Sequence, residues 1–246
     1  YTESPLVDNG LILVTPGGRK GAVVALNAAT GKPVWQSEDF TDGAQYSSII
    51  VREFGGERQY IQLTGANVVG LAAKTGKILW KAPRKGRTAT VSTPIFHDGH
   101  VFVSSSYGVG CNGFKVTYDG KAFSAKETYA NKVIANHHGG CIRVGNYVYG
   151  SSGGTLACLN LKTGEEMWRE RSAGKGSIVV IDGKIILRAE SGTVAMVELN
   201  PEAYKEISRF QQPDRTRSRA WSHPVVSNGV LYLKDQDSLF AYSLKK

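Results

Sequence analysis

Cysteine is scarce in this chain: Cys111, Cys141 and Cys158 are the only three in 246 residues. The number is odd, no two are adjacent and no Cys-x-x-Cys occurs, which argues against both a cysteine zinc site and a dithiol redox pair. Cys141 and Cys158 are predicted to lie in strands with another strand between them, too far apart for a bridge. Buried free thiols that pack as small apolar side chains are expected. Methionine is scarcer still, at two residues, and long runs of helix formers are missing, which points away from a helical protein. No apolar run approaches the ~18 residues of a membrane-spanning helix. No export signal stands ahead of the opening Tyr1-Thr2-Glu3-Ser4-Pro5, which reads as the start of an excised mature segment. Acidic residues form no dense cluster, so a hard cation such as Ca2+ would lack the several oxygen ligands it takes. Asp235 and Asp237 are the nearest to one, and they sit on an ordinary turn.

Glycine, by contrast, is abundant, at 29 residues, as a chain with many tight turns requires. Two phrases recur. The first is Ser-x-Pro or Ser-Pro, a few apolar residues, Asp or Asn, Gly, then an alternating apolar run. It occurs at Ser4–Gly10, Ser92–Gly99 and Ser222–Gly229, with weaker copies around Gly145 and Gly183 and a divergent one, Tyr46–Tyr60, turning at Gly55-Gly56. The second runs from Ala25 to Trp35, from Gly70 to Trp80 and from Cys158 to Trp168, each with Thr-Gly near its centre. Trp35 and Trp80 are 45 residues apart, and Trp80 and Trp168 are 88 apart, close to two periods. Asn-Gly and Asp-Gly form hairpin turns because both central residues tolerate positive φ. The short runs between them read as strands buried on one or both faces. Four strands in a period of 40 to 45 residues is the signature of a β-propeller blade.

The predicted fold is therefore all-β: a propeller of four-stranded antiparallel blades. Six repeats fall at about 1–44, 45–90, 91–135, 136–174, 175–219 and 220–246 in a single domain. The recurring tryptophans are expected to pack between blades, with the indole N–H free to donate. The third repeat replaces the Thr-Gly phrase with Phe114–Gly120. The fifth lacks both Thr-Gly and Trp, with Phe210 near the equivalent place. The sixth stops after its third strand. An open ring would leave a sheet edge unpaired, so the segment is expected to belong to a longer propeller of seven or eight blades.

The net charge is +9, compatible with an acidic partner. The basic residues are scattered over turns, however, and the one dense run, Arg209 to Arg219, reads as a solvated loop. No aromatic ladder accompanies it, so nucleic acid is not an expected partner.

Taken together, the phrases resemble the pyrroloquinoline-quinone-type repeat. That family includes quinoprotein alcohol dehydrogenases and the propeller lipoprotein of the outer-membrane assembly machinery. Thr2–Val7, Asn136-His137-His138-Gly139-Gly140, Gln212–Arg215 and Asp235-Gln236-Asp237 further resemble a group of secreted, planctomycete-type propellers. The resemblance implies a periplasmic or extracellular home but no established reaction. The family's dehydrogenases stack the quinone on a disulfide between adjacent cysteines and hold Ca2+ through acidic and amide side chains. Neither feature is present in this sequence, so PQQ with Ca2+ is not expected and no cofactor is assigned.

A propeller binds where the loops entering its first strands converge. Those positions are Glu3, Tyr46, Ser92, His137, His138, Lys175, Trp221 and His223. They are polar for a structural layer, and they form the expected ligand site. Neighbours on an extended strand point to opposite faces, so only one of His137 and His138 is expected to face it. A histidine metal site completed by Glu3 is the less favoured alternative, and no metal or catalytic residue is assigned. Arg188 and Glu190, on the fifth repeat's second strand, either reach the channel or, the favoured reading, pair with neighbours across their blade. The expected function is that of a non-catalytic scaffold binding a protein or a glycan. The alternative is an enzyme: a degenerate quinoprotein dehydrogenase, or a polysaccharide-acting enzyme using His137 or His138 as base, with Lys175 or Tyr46 beside it.

Overall fold

The computed structural model describes residues 2–244. Among these there is no helix, and 23 strands form six antiparallel sheets in which neighbours in sequence are neighbours in space. The first sheet is β1 (Leu6–Asp8), β2 (Leu11–Val14), β3 (Val24–Asn27) and β4 (Pro33–Gln36). The second is β5 (Ile50–Phe54), β6 (Glu57–Leu63), β7 (Asn67–Ala72) and β8 (Ile78–Pro83). The third is β9 (Ile95–His97), β10 (His100–Ser105), β11 (Gly110–Tyr118) and β12 (Phe123–Asn131). The fourth is β13 (Cys141–Val144), β14 (Tyr147–Ser152), β15 (Thr155–Asn160) and β16 (Glu166–Arg171). The fifth is β17 (Gly176–Ile181), β18 (Lys184–Ala189), β19 (Thr193–Glu198) and β20 (Glu206–Gln211). The sixth has three strands, β21 (Val225–Ser227), β22 (Val230–Asp235) and β23 (Ser238–Ser243). Each sheet falls within one of the repeats read from the sequence.

The hairpin turns are set by local chemistry. Asn9-Gly10, Asp98-Gly99, Asp182-Gly183 and Asn228-Gly229 all hold both residues at positive φ, the backbone a two-residue hairpin needs to match strand twist. The middle strands carry apolar side chains on both faces because both faces are covered. On β6, Tyr60 enters a core shared with Leu13 and Ala25 of the first sheet, while Ile61 enters one shared with Val101 and Phe114 of the third.

The chain packs as two compact units. One comprises residues up to Lys132 with Lys162–Gly164, and the other comprises Val133–Leu161 with the residues from Glu165 on. The first holds sheets one to three. The second holds sheets four to six, with cores at Tyr149, Cys158, Ile178 and Leu187 and at Ile186, Leu231 and Leu233.

The tryptophans take the packing role expected of them. Trp35 Nε1 donates to Ala73 O at 3.0 Å, joining the first sheet to the second, and Trp168 Nε1 donates to Asn200 O at 2.8 Å. Trp80 Nε1 instead donates within its own sheet, to Gln59 Oε1 at 2.7 Å. The third repeat keeps this position after all: Tyr129 pairs with Gly113 just as Trp80 pairs with Gly70, each beside a bulge. In the fifth sheet the residue at the bulge is Ser208, opposite Met196. Phe210 lies two residues on and packs against Tyr242 at a centroid distance of 5.3 Å, so it does not replace the missing Trp. Cys111 and Cys158 are buried thiols outside any disulfide, and burial raises the Cys158 thiol to about 12. Cys141 is only half-buried, in β13 at the start of its sheet.

Candidate functional site

Within the second unit, three sequence-distant side chains meet on one carboxylate oxygen. Glu190 Oε1 lies 2.8 Å from His138 Nε2, 3.1 Å from Lys175 Nζ and 2.8 Å from Trp221 Nε1. His138, Lys175 and Trp221 were expected in the loop layer. Glu190, which joins them, is expected from the sequence to pair across its blade or, less favoured, to reach the channel. It does pair across its sheet, with Lys175, yet it also reaches His138 from the loop before β13 and Trp221 from the loop before β21.

Close backbone approach brings these loops together. A side chain at Gly139 would meet Gly176 O at 1.8 Å, and one at Gly176 would meet Arg188 O at 1.9 Å. Only glycine permits such contacts, and they draw the His137–Gly140 segment onto the edge carrying Lys175 and Glu190. Asn136, fully buried, fastens the segment by donating from Nδ2 to Gly140 O and Ser151 O at 3.0 and 3.1 Å. The backbone bends through His137, His138 and Gly139, so strand alternation does not apply and the expectation that only one histidine faces the site fails. The two rings stand edge to face at 5.3 Å, and His138 lies 5.6 Å from the Trp221 ring. Glu190 is fixed through its backbone as well: its N–H donates to Lys175 O, and its carbonyl accepts from Ala220 N and Arg215 Nη2. The Arg209–Arg219 run is therefore more than a solvated loop, because Arg215 ties it to the site.

Electrostatics follow from this packing. Burial alone would raise the Glu190 carboxyl, but hydrogen bonds from Lys175, His138 and Trp221 outweigh it and hold the group below its usual range. Burial lowers His138, and its attraction to Glu190 only partly offsets this. Burial likewise lowers His137, and the neighbouring Lys175 lowers it further. A neutral His138 donating from Nε2 leaves a lone pair on Nδ1, and that atom is buried without a hydrogen-bond partner. Trp221 is 56% exposed. His223 is exposed, with its Cε1 against Gly140.

The remaining expected residues belong to the first unit. The Glu3 carboxylate accepts from Thr15 N and from Gln62 Nε2. Tyr46 is exposed and lines a shallow cavity with Gln45 and Thr88. Ser92 is buried, and its carbonyl accepts from Ser47 Oγ at 3.1 Å, which knits two loops together. The carboxylate that accompanies the histidines is thus Glu190, where the sequence suggested Glu3. Arg188 is buried and donates to Lys234 O and Gln212 Oε1, so its partners are neutral acceptors and not the expected opposite charge.

The side chains present do not fit PQQ and Ca2+. The cysteines stand on β11, β13 and β15 with no adjacent pair. Asp235, at the end of β22, is buried and accepts from Thr216 N and Oγ1.

A family profile described as "Outer membrane protein assembly factor BamB" matches residues 1–170. A protein of that name from Moranella endobia is 24% identical over 268 residues, covering 95% of this chain and 62% of the relative. The chain therefore spans less than two thirds of that relative's length. Among solved structures, BamB from Moraxella catarrhalis superposes with a TM-score of 0.69 at 19% identity, covering 96% of this chain and 67% of the other. The β-propeller domain of Cps50 (Swd1) from Myceliophthora thermophila superposes at 0.59 with 11% identity, covering 98% and 84%. At such identities the structures speak for the fold alone, and that fold is the β-propeller. The profile match, which extends over most of the chain, establishes that this protein belongs to the BamB-type family of PQQ-repeat propellers.

Proposed function

We propose that the chain is a non-catalytic binding propeller that docks a protein partner on the loop face carrying Trp221. One observation carries this reading: a largely exposed indole whose N–H is held by Glu190. A rigid aromatic side chain with a polar tether loses little entropy on binding, and tryptophan is among the residues that most often dominate interface energetics. The relatives' name, outer membrane protein assembly factor, supports a partner in outer-membrane protein assembly and a periplasmic location. The motifs Asn136–Gly140 and Gln212–Arg215 support a place near the secreted planctomycete-type propellers.

The test is affinity purification from detergent-solubilised envelopes, with the recovered partner then titrated against Trp221→Ala and, as a control on another exposed aromatic, Tyr118→Ala. We expect Trp221→Ala to cost about 2 kcal/mol, roughly thirtyfold in Kd, with Tyr118→Ala unchanged. Equal binding by Trp221→Ala would place the interface elsewhere. PQQ-dependent dye reduction by the purified chain in Ca2+ would overturn the non-catalytic reading.

A further inference from the structure

We infer that His137, His138 and Glu190 form a binding site for a borderline divalent cation of the zinc class. Each offers one ligand atom, and the three atoms lie within 4.8 Å of one another. Two imidazoles and a carboxylate suit Zn2+, Ni2+ or Cu2+, whereas Ca2+ and Mg2+ select oxygen donors. Bonds of about 2.0–2.2 Å to a tetrahedral ion require donors nearer than they now stand, a change within reach of side-chain rotation in a loop.

Two further observations point to an ion. His138 Nδ1 is buried without a hydrogen-bond partner, and a buried polar atom left unsatisfied calls for an explanation. Glu190 already holds a cation, because Lys175 Nζ lies 3.1 Å from its Oε1. The Lys175 side chain is one-third exposed, so it can withdraw into solvent while a divalent ion takes its place beside the carboxylate. Binding is then an exchange of one cation for another and leaves no buried charge unpaired. Three protein donors leave a fourth position for water.

The experiment uses the isolated, chelator-treated chain and no partner, so its outcome is separate from that of the docking reading. Zn2+ is titrated calorimetrically, and Co2+ is followed by its visible absorption as a report on coordination geometry. Saturable uptake of about one ion per chain is expected, weakened at least tenfold by His137→Ala and by His138→Gln. Lys175→Met should tighten it severalfold, because the competing ammonium is gone. That gain distinguishes the inference from a purely structural role for the cluster, and it does not depend on a variant that risks misfolding. Absence of saturable uptake would overturn the site. So would uptake unchanged in the His137→Ala, His138→Gln double variant, which would place the ion on His97, His100 or His223. Weaker uptake by Lys175→Met would do the same.

Discussion

At the scale of single residues, the most consequential contacts are those in which an aromatic ring lies on a glycine. An added methyl at Gly70 would stand 2.2 Å from Trp80 Nε1, and one at Gly113 would stand 2.1 Å from Tyr129 Cε1. Trp80 is buried and its N–H is committed to Gln59, so the ring has nowhere to move. Gly70→Ala should destabilise the chain by about 2 kcal/mol through overpacking, read as a lower denaturant midpoint at unchanged slope. The Trp motif itself was legible in the sequence. Its glycine counterpart was not, because a strand glycine carries no pattern until the register sets it opposite the ring. Tyr129 was missed for the same reason: nothing in the third repeat's wording marks it, and only its place beside the bulge identifies it.

At the scale of elements, sheets are joined by polar stitches at the rims of apolar cores. Asp8 at the end of β1 accepts from Arg58 at 2.5 and 3.0 Å and from Tyr60 at 2.8 Å, both on β6 of the next sheet. The Arg58 hydrogen bond holds the Asp8 carboxyl below its ordinary value of 3.8 in spite of burial. A carboxylate whose folded-state pKa is lowered contributes stability that is full above the ordinary value and is lost as pH falls through the lowered one. Stability should therefore decline below about pH 4, and Asp8→Asn should flatten that part of the profile while lowering stability at pH 7. Thermal melts from pH 2 to 7 on both proteins test this. Trp35→Phe, which deletes the N–H bonded to Ala73 O, should cost about 1 kcal/mol. The strands and their hairpins could be placed from the sequence because Asn-Gly and Asp-Gly have strong local preferences. The Asp8–Arg58 link, 50 residues apart in sequence, could not.

At the scale of the whole molecule, a charge of +9 would suit an anionic partner if it were concentrated. Here several of the basic side chains are paired with carboxylates: Arg209 with Glu206, Arg58 with Asp8 and Glu53, Lys175 with Glu190. Arg215 is turned inward onto backbone carbonyls. A duplex DNA probe should accordingly show no saturable binding at about 0.15 M salt, where non-specific phosphate contacts are already weakened. Tight binding there, with a steep salt slope, would contradict this reading of the charge.

The sequence by itself determined the period of the repeat, the turn chemistry and the alternation of buried faces, and hence the propeller class, because each depends on residues within a few positions of one another. It also determined which loops precede the first strands, and so most of the side chains that gather around Glu190. The tertiary structure alone decided that His138, Lys175 and Trp221 converge on Glu190, and that Ser92 and Glu3 hydrogen-bond to Ser47 and Thr15. Convergence depends on how far loops from successive sheets are drawn together. Here that distance is set by glycine contacts between backbones, as at Gly139 against Gly176, which no repeat pattern encodes.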